Sequence, residues 1–287
     1  MRRQQYMHFT KTQLVGTVLA VGLIVPSTAL AATIIGGPKG ERLKGTQVAD
    51  KIDGNGGNDR IRGLGGPDEL IGGTGNDRVS GGAGNDVIRG VQGNDRLHGN
   101  GGDDAISGDA NNTGDLTSFD RIFGGAGNDT LRGGDSKDRI YGGSGNDTSL
   151  GESGRDRMAG GTGDDVQHGG AGNDVIFANR GQDTTYGGGG NDRLWALAKG
   201  DVAPGPGVDQ VGDTLHGGAG NDTLRTRDGE VDRITCGAGN DRAVLDNVDV
   251  ILDATAANPK GSCEDVKRDA PKVSDSKSED KQENKNS

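Results

Sequence analysis

Aromatic side chains are scarce in this chain of 287 residues: Phe, Tyr and Trp make up 3% of it, and hydrophobic residues of every kind only 29%. So little apolar surface excludes a thick close-packed core, and composition taken by itself points to disorder. Cysteine occurs twice, at Cys236 and Cys263, so the chain can close one bridge at most. Beyond residue 31, histidine occurs only at His98, His168 and His216. They are scattered and lack a cysteine cluster, which argues against a zinc centre. Neither an HExxH nor a GxSxG motif is present, so the metalloprotease and serine-hydrolase signatures are missing. Positive charge is short as well. Lys and Arg number 32 against 43 Asp and Glu, a net charge of −11. That balance argues against binding nucleic acid through its phosphates and suits a cation-binding or strongly solvated surface.

Long apolar runs are confined to the start of the chain. "LVGTVLAVGLIV", Leu14 to Val25, spans 12 residues, too short for a membrane-crossing helix of about 20. Arg2, Arg3 and Lys11 precede it, and the small residues "ALAA", Ala29 to Ala32, follow it. This order predicts a secretory signal peptide over 1–31, cut after Ala31; an uncleaved anchor is the alternative. The mature chain is then extracellular, has no membrane span and carries a net charge of −14. Outside the cell a Cys236–Cys263 disulfide is expected rather than two free thiols.

What the chain has instead is glycine, 57 of its residues, against a usual share of roughly 7%. The glycine is periodic. Aligned on aspartate, Asp50, Asp59, Asp68, Asp77, Asp86, Asp95 and Asp104 fall nine residues apart. An irregular stretch near 108–119 resets the count at Asp120, and Asp129, Asp138, Asp147, Asp156, Asp165, Asp174, Asp183 and Asp192 follow. After a second insertion over 196–212 come Asp213 and Asp222, then Asp232 one residue late, then Asp241. Glu41 reads as a degenerate first copy.

Each unit reads G-G-x-G-N-D-x-U-x, with U large and apolar. Its last three residues favour a short strand whose middle side chain points inward. Its first six turn the chain, with glycine supplying positive φ and close backbone approach and Asn and Asp tolerating left-handed conformations. Two units therefore make one turn of about 18 residues, with strands on opposite walls. Aspartates one turn apart stack at strand spacing, roughly 4.8 Å, and would repel one another. Carbonyls freed by the glycine turns face the same gap, and carboxylates plus carbonyls suit calcium. A metal-free solenoid in which Asp only ends turns is the alternative.

This unit, in about twenty tandem copies over roughly residues 36–244, resembles the hemolysin-type calcium-binding repeat family, also called RTX. The resemblance implies an all-β fold, a parallel β-roll (β-solenoid) with two repeats per turn. It also implies several calcium ions, each between adjacent turns and held by Asp carboxylates and turn carbonyls. The candidate ligands are Asp59, Asp68, Asp77, Asp86, Asp95, Asp104, Asp120, Asp129, Asp138, Asp147, Asp156, Asp165, Asp174, Asp183, Asp192, Asp213, Asp222 and Asp241. Metal binding is then coupled to folding, with affinities of roughly 10⁻⁴–10⁻³ M as in other extracellular modules. Family members exported by a dedicated C-terminal signal usually lack an N-terminal signal peptide, so general export is expected here.

If the first insertion preserves alternation, the wall that starts at Asp59, Asp77, Asp95 and Asp120 points Ile61, Val79, Leu97, Ile122, Ile140, Met158, Ile176 and Leu194 inward. The second wall points Leu70, Ile88, Ile106 and Leu131 inward, then Ser149, Gln167 and Thr185, which predicts a weaker core there; a local shift turning Leu150 or Val166 inward is the alternative. Outside the first wall, Arg60, Arg78, Arg96, Arg121, Arg139, Arg157 and Arg193 run beside Phe123, Tyr141, Phe177 and Trp195. These residues serve either as a cross-strand ladder, as a face for an anionic partner such as a surface polysaccharide or the cell envelope, or as a contact for protein or a terminal segment. The chosen candidate face is Arg121, Arg139, Arg157, Arg193, Phe123, Tyr141, Phe177 and Trp195.

Beyond the roll, 32–244, the glycine pattern lapses. Residues 245–264 are expected to cap it, pinned by the disulfide, and the mixed-charge stretch 265–287 to be disordered. The repeats leave no room for a catalytic domain, so a structural or adhesive calcium-binding protein is expected, not an enzyme; a polysaccharide-modifying site on the first wall or in the insertions is the weaker alternative. Ice binding would need a regular file on one face, and Gly56, Gly65, Thr74, Ala83 and Gln92 are too varied.

Overall fold

The structure, a computed structural model, describes residues 30–109, 118–196 and 212–270. The expected signal peptide up to residue 29, most of both insertions and residues 271–287 lie outside the described residues. Among the described residues every regular element is a strand, mostly of three to six residues. Alternate strands belong to opposite walls and form two parallel twelve-stranded sheets. The first wall runs from Arg42–Lys44 to Asp265–Arg268, and the second from Thr33–Ile35 to Val250–Ile251. The chain is a parallel β-solenoid, and its register follows the 18-residue turn: Arg121 lies beside Arg139, Ile122 beside Ile140, and Phe123 beside Tyr141.

Neither insertion swaps the walls. Arg96–Gly101 pairs with Arg121–Ala126 across the first, and Thr184–Gly189 pairs with Thr214–Ala219 across the second. The inward files are therefore the expected ones. Ile61, Val79, Leu97, Ile122, Ile140, Met158, Ile176 and Leu194 are buried on the first wall, and Leu70, Ile88, Ile106 and Leu131 on the second. Ser149, Gln167 and Thr185 also point inward, with at most 1% exposure, and no shift brings Leu150 or Val166 in. These polar residues coincide with a break in the core. One apolar cluster ends at Met158 and Ile176, and a second begins at Leu194 and continues to Cys263. Thr185 Oγ1 donates to Gln167 Oε1 at 3.4 Å, whereas Ser149 Oγ and Gln167 Nε2 are buried without a partner.

The C-terminal boundary needs correcting. Asp265–Arg268, expected to be disordered, is a strand of the first wall, paired with Arg242–Leu245. Val266 packs against the second apolar cluster, and alternation lets its charged neighbours face out. Within the segment expected as a cap, Val250–Ile251 pairs with the second wall. Cys236 and Cys263 form a disulfide, with Cα atoms 5.2 Å apart.

Candidate metal centre

The turn Gly142-Gly143-Ser144-Gly145-Asn146-Asp147 shows how the repeat builds its edge. Gly143 and Gly145 adopt φ of 126° and 119°, values that an L side chain rarely tolerates. A Cβ on either would also run into the carbonyl of Gly125 or Gly127 in the preceding turn. The first glycine of the unit is needed for space. At Gly133 a Cβ would lie 2.8 Å from Asp138 Oδ2 and 2.8 Å from the Gly151 carbonyl oxygen of the next turn. At Gly169 the corresponding approaches are 2.5 Å to Asp174 Oδ2 and 2.5 Å to Gly187 O. A carboxylate oxygen and a carbonyl oxygen thus face each other across these first glycines, in a cradle that a larger residue would fill.

The aspartates are placed by the backbone. Each opens a strand, and its Oδ1 accepts the N–H of the aspartate one turn earlier: Asp59 N–H donates to Asp77 at 2.7 Å, Asp77 to Asp95 at 2.8 Å, and Asp120 to Asp138 at 2.8 Å. The link spans both insertions, from Asp95 to Asp120 and from Asp183 to Asp213. The candidate aspartates therefore form one column along each wall, all at most 3% exposed. The second oxygen is a different matter. Oδ2 is buried and meets no donor in Asp59, Asp68, Asp77, Asp86, Asp95, Asp104, Asp129, Asp138, Asp147, Asp156, Asp165, Asp174, Asp192, Asp222 and Asp241.

An ionised carboxylate oxygen without a partner in a buried site is costly. Burial accordingly pushes these groups up. Asp95 and Asp138 rise to about 8, and Asp104, Asp156 and Asp165 to about 7. In each the N–H from the preceding turn pulls partway back and neighbouring carboxylates push further up. Asp213 is raised well above its ordinary value, by burial and then by Asp183 and Asp232. Two columns of buried oxygens without hydrogens, lined by carbonyls, are a donor set for a hard cation such as calcium and not for a soft one.

Asparagine forms a second column that the sequence reading missed. The N–H of Asn76 donates to Asn58 Oδ1, and that of Asn94 to Asn76 Oδ1, both at 2.8 Å. Asn146 and Asn128 repeat the contact at 2.7 Å. Here the later turn donates to the earlier, opposite to the aspartate links, so each pair of turns is clasped from both sides. The signal was available in the Asn that precedes Asp in most units.

Outside the first wall the expected rings are present but divided. Phe123 stacks on Tyr141 at 5.1 Å and Phe177 on Trp195 at 4.8 Å, with Ala159 between the two pairs. His98 extends the first stack. Arg157 lies over Phe177, 4.7 Å from its centroid, and leaves that ring 6% exposed. Arg121 and Arg139 instead lie over Phe119, at 5.1 and 5.2 Å, while Arg193 is exposed and Trp195 is faced by Arg225. The second wall carries its own stack, His168–Tyr186–His216, legible from the 18-residue spacing of His168 and Tyr186.

A family model for the RTX calcium-binding nonapeptide repeat matches the chain at residues 35–70, 53–88, 62–96, 80–113, 117–149, 150–185, 160–194 and 211–243. No curated protein matches it. The matched segments overlap into well over half of the chain and coincide with the glycine turns and aspartate columns. This chain belongs to the RTX calcium-binding nonapeptide repeat family.

Proposed function

We propose that this is a secreted protein whose β-roll is folded by several calcium ions and which serves a structural or adhesive role outside the cell. The observation that carries this is the double column of buried Asp Oδ2 atoms without donors. The candidate aspartates would each supply Oδ2, and the turn carbonyls the remaining oxygens. The ion would replace the missing donors and cancel the mutual repulsion of the columns. Binding energy then becomes folding energy, which a chain with two thin files of apolar residues needs. In a low-calcium cytoplasm such a chain stays unfolded, and it folds after export. The test is far-UV circular dichroism of the metal-stripped chain during addition of calcium, with magnesium as control. A cooperative rise in β-signal with calcium alone is expected; a chain already folded in chelator and indifferent to calcium would sink the proposal.

A second reading is favoured by the outer face of the first wall, where stacked rings alternate with guanidinium groups. Such a face suits an anionic surface polysaccharide. Truncating Arg139, Tyr141 and Trp195 together is expected to abolish binding to acidic glycans and cell envelopes; unchanged binding would leave the rings as a cross-strand ladder.

A further inference from the structure

The aspartate spacing breaks once late in the chain, from Asp222 to Asp232. The turn that absorbs the extra residue reads Thr226-Arg227-Asp228-Gly229-Glu230-Val231-Asp232. Where other turns carry glycines, this one carries carboxylates at alternate positions, with Gly229 at φ 103° between the first two. One oxygen from each of Asp228, Glu230 and Asp232 lies within 4.8 Å of the other two. Asp228 is 7% exposed and Asp232 wholly buried, while Glu230 sits half-buried at the rim. Asp232 Oδ1 accepts the N–H of Asp213 at 2.7 Å. Its Oδ2 is buried and meets no donor. Arg227, next in sequence, donates to the Ala270 carbonyl at 2.6 Å and lies 3.4 Å from Asp269.

We propose that Asp228, Glu230 and Asp232 form a separate divalent-cation site, distinct in its ligands from the nonapeptide turns and the first to fill with calcium. A regular turn offers one carboxylate and otherwise carbonyl oxygens. This turn offers three carboxylates within five residues, and calcium affinity rises with the charge of the ligand set. All donors are hard oxygens, which selects calcium over zinc or copper. Because one turn supplies all three carboxylates, the site does not depend on a carboxylate from a neighbouring turn.

The experiment is competition of the chain for calcium against a chromophoric chelator, in the wild type, in Glu230→Gln and in Asp86→Asn, which alters a regular turn. Glu230→Gln is expected to weaken the tightest calcium by about tenfold or more and leave the remainder unchanged, while Asp86→Asn preserves the tightest calcium. An unchanged tightest class in Glu230→Gln overturns the proposal. Should that variant fail to reach the wild-type dichroism at saturating calcium, crystals of the wild type carrying one equivalent of terbium decide the matter. An anomalous peak among the three carboxylates supports the site, and a first peak at a regular turn refutes it. The choice of calcium rests on the function proposed above. A wild type that binds no calcium removes both, whereas calcium-driven folding with an unaltered Glu230→Gln removes only this site.

Discussion

Replacing Gln167 by Leu is expected to stabilise the roll. Gln167 is wholly buried, lies between Ser149 and Thr185 in the inward file, and leaves its Nε2 without a partner. Removing an unpaired buried amide nitrogen returns about 1–3 kcal/mol, and two methyl groups in its place add about 1 kcal/mol. Against this stands Thr185 Oγ1, which loses its contact at 3.4 Å and is left buried without an acceptor, a cost of about 1–3 kcal/mol. The net gain centres on about 1 kcal/mol, which for a domain of this size raises the thermal midpoint by about 2–4 °C. The assay is thermal unfolding at one fixed, saturating calcium concentration, because a bound ion shifts the midpoint by mass action. Ile140→Gln, which places an amide in the apolar file of the opposite wall, must act in the other direction. A midpoint unchanged or lowered in Gln167→Leu would refute the reasoning and show that the polar stretch is satisfied, for instance by buried water.

The buried carboxylates set a pH dependence. Without metal their raised values, up to about 8 at Asp95 and Asp138, mean that the folded chain binds more protons than the unfolded one between about pH 4 and 8. Metal-free β-signal should therefore be stronger at pH 5 than at pH 8, while the calcium needed for folding should rise as the pH falls; equal metal-free spectra would count against the buried columns. Asp95→Asn keeps the Oδ1 acceptor for Asp77 and supplies hydrogens where Oδ2 has no donor, so chelator-treated protein should gain β-signal while calcium stoichiometry drops, measured by dichroism and calorimetry. Val91 holds φ of 94°, a conformation that strains a β-branched residue by about 1–3 kcal/mol, and Val91→Gly should raise the unfolding midpoint at fixed calcium.

Much of this architecture was legible because a nine-residue period fixes both the wall and the direction of every side chain. The inward placement of Gln167 follows from counting, even though its chemistry argues against burial. The aspartate columns followed from the same count. What counting could not supply is which oxygen is used. That Oδ1 is occupied by the preceding turn and Oδ2 left bare depends on backbone geometry, not on residue type. Asp265–Arg268 was missed for a related reason: a single apolar residue, Val266, decides its placement, and composition averages it away. Phe119 escaped because it stands where most units carry Asn, directly before Asp120 at the end of the first insertion, so no repeated aromatic announced its position under Arg121 and Arg139.

The aspartate links give the roll a direction. At the N-terminal end the Asp59 carboxylate accepts from Glu41 and that of Asp50 from Ala32, so that end is built of acceptors reaching backward. At the other end the last turns hold N–H groups waiting for a carboxylate that no further repeat supplies. Glu264 meets that of Asp241 at 2.7 Å, and Asp249 meets that of Asp232 at 3.2 Å. A roll ending without them would leave those N–H groups bare at one end, whereas at the other the Asp59 and Asp50 carboxylates are already met by Glu41 and Ala32. Two acidic side chains outside the repeat pattern thus serve as terminators, closing the end at which the column of donors would otherwise stand open.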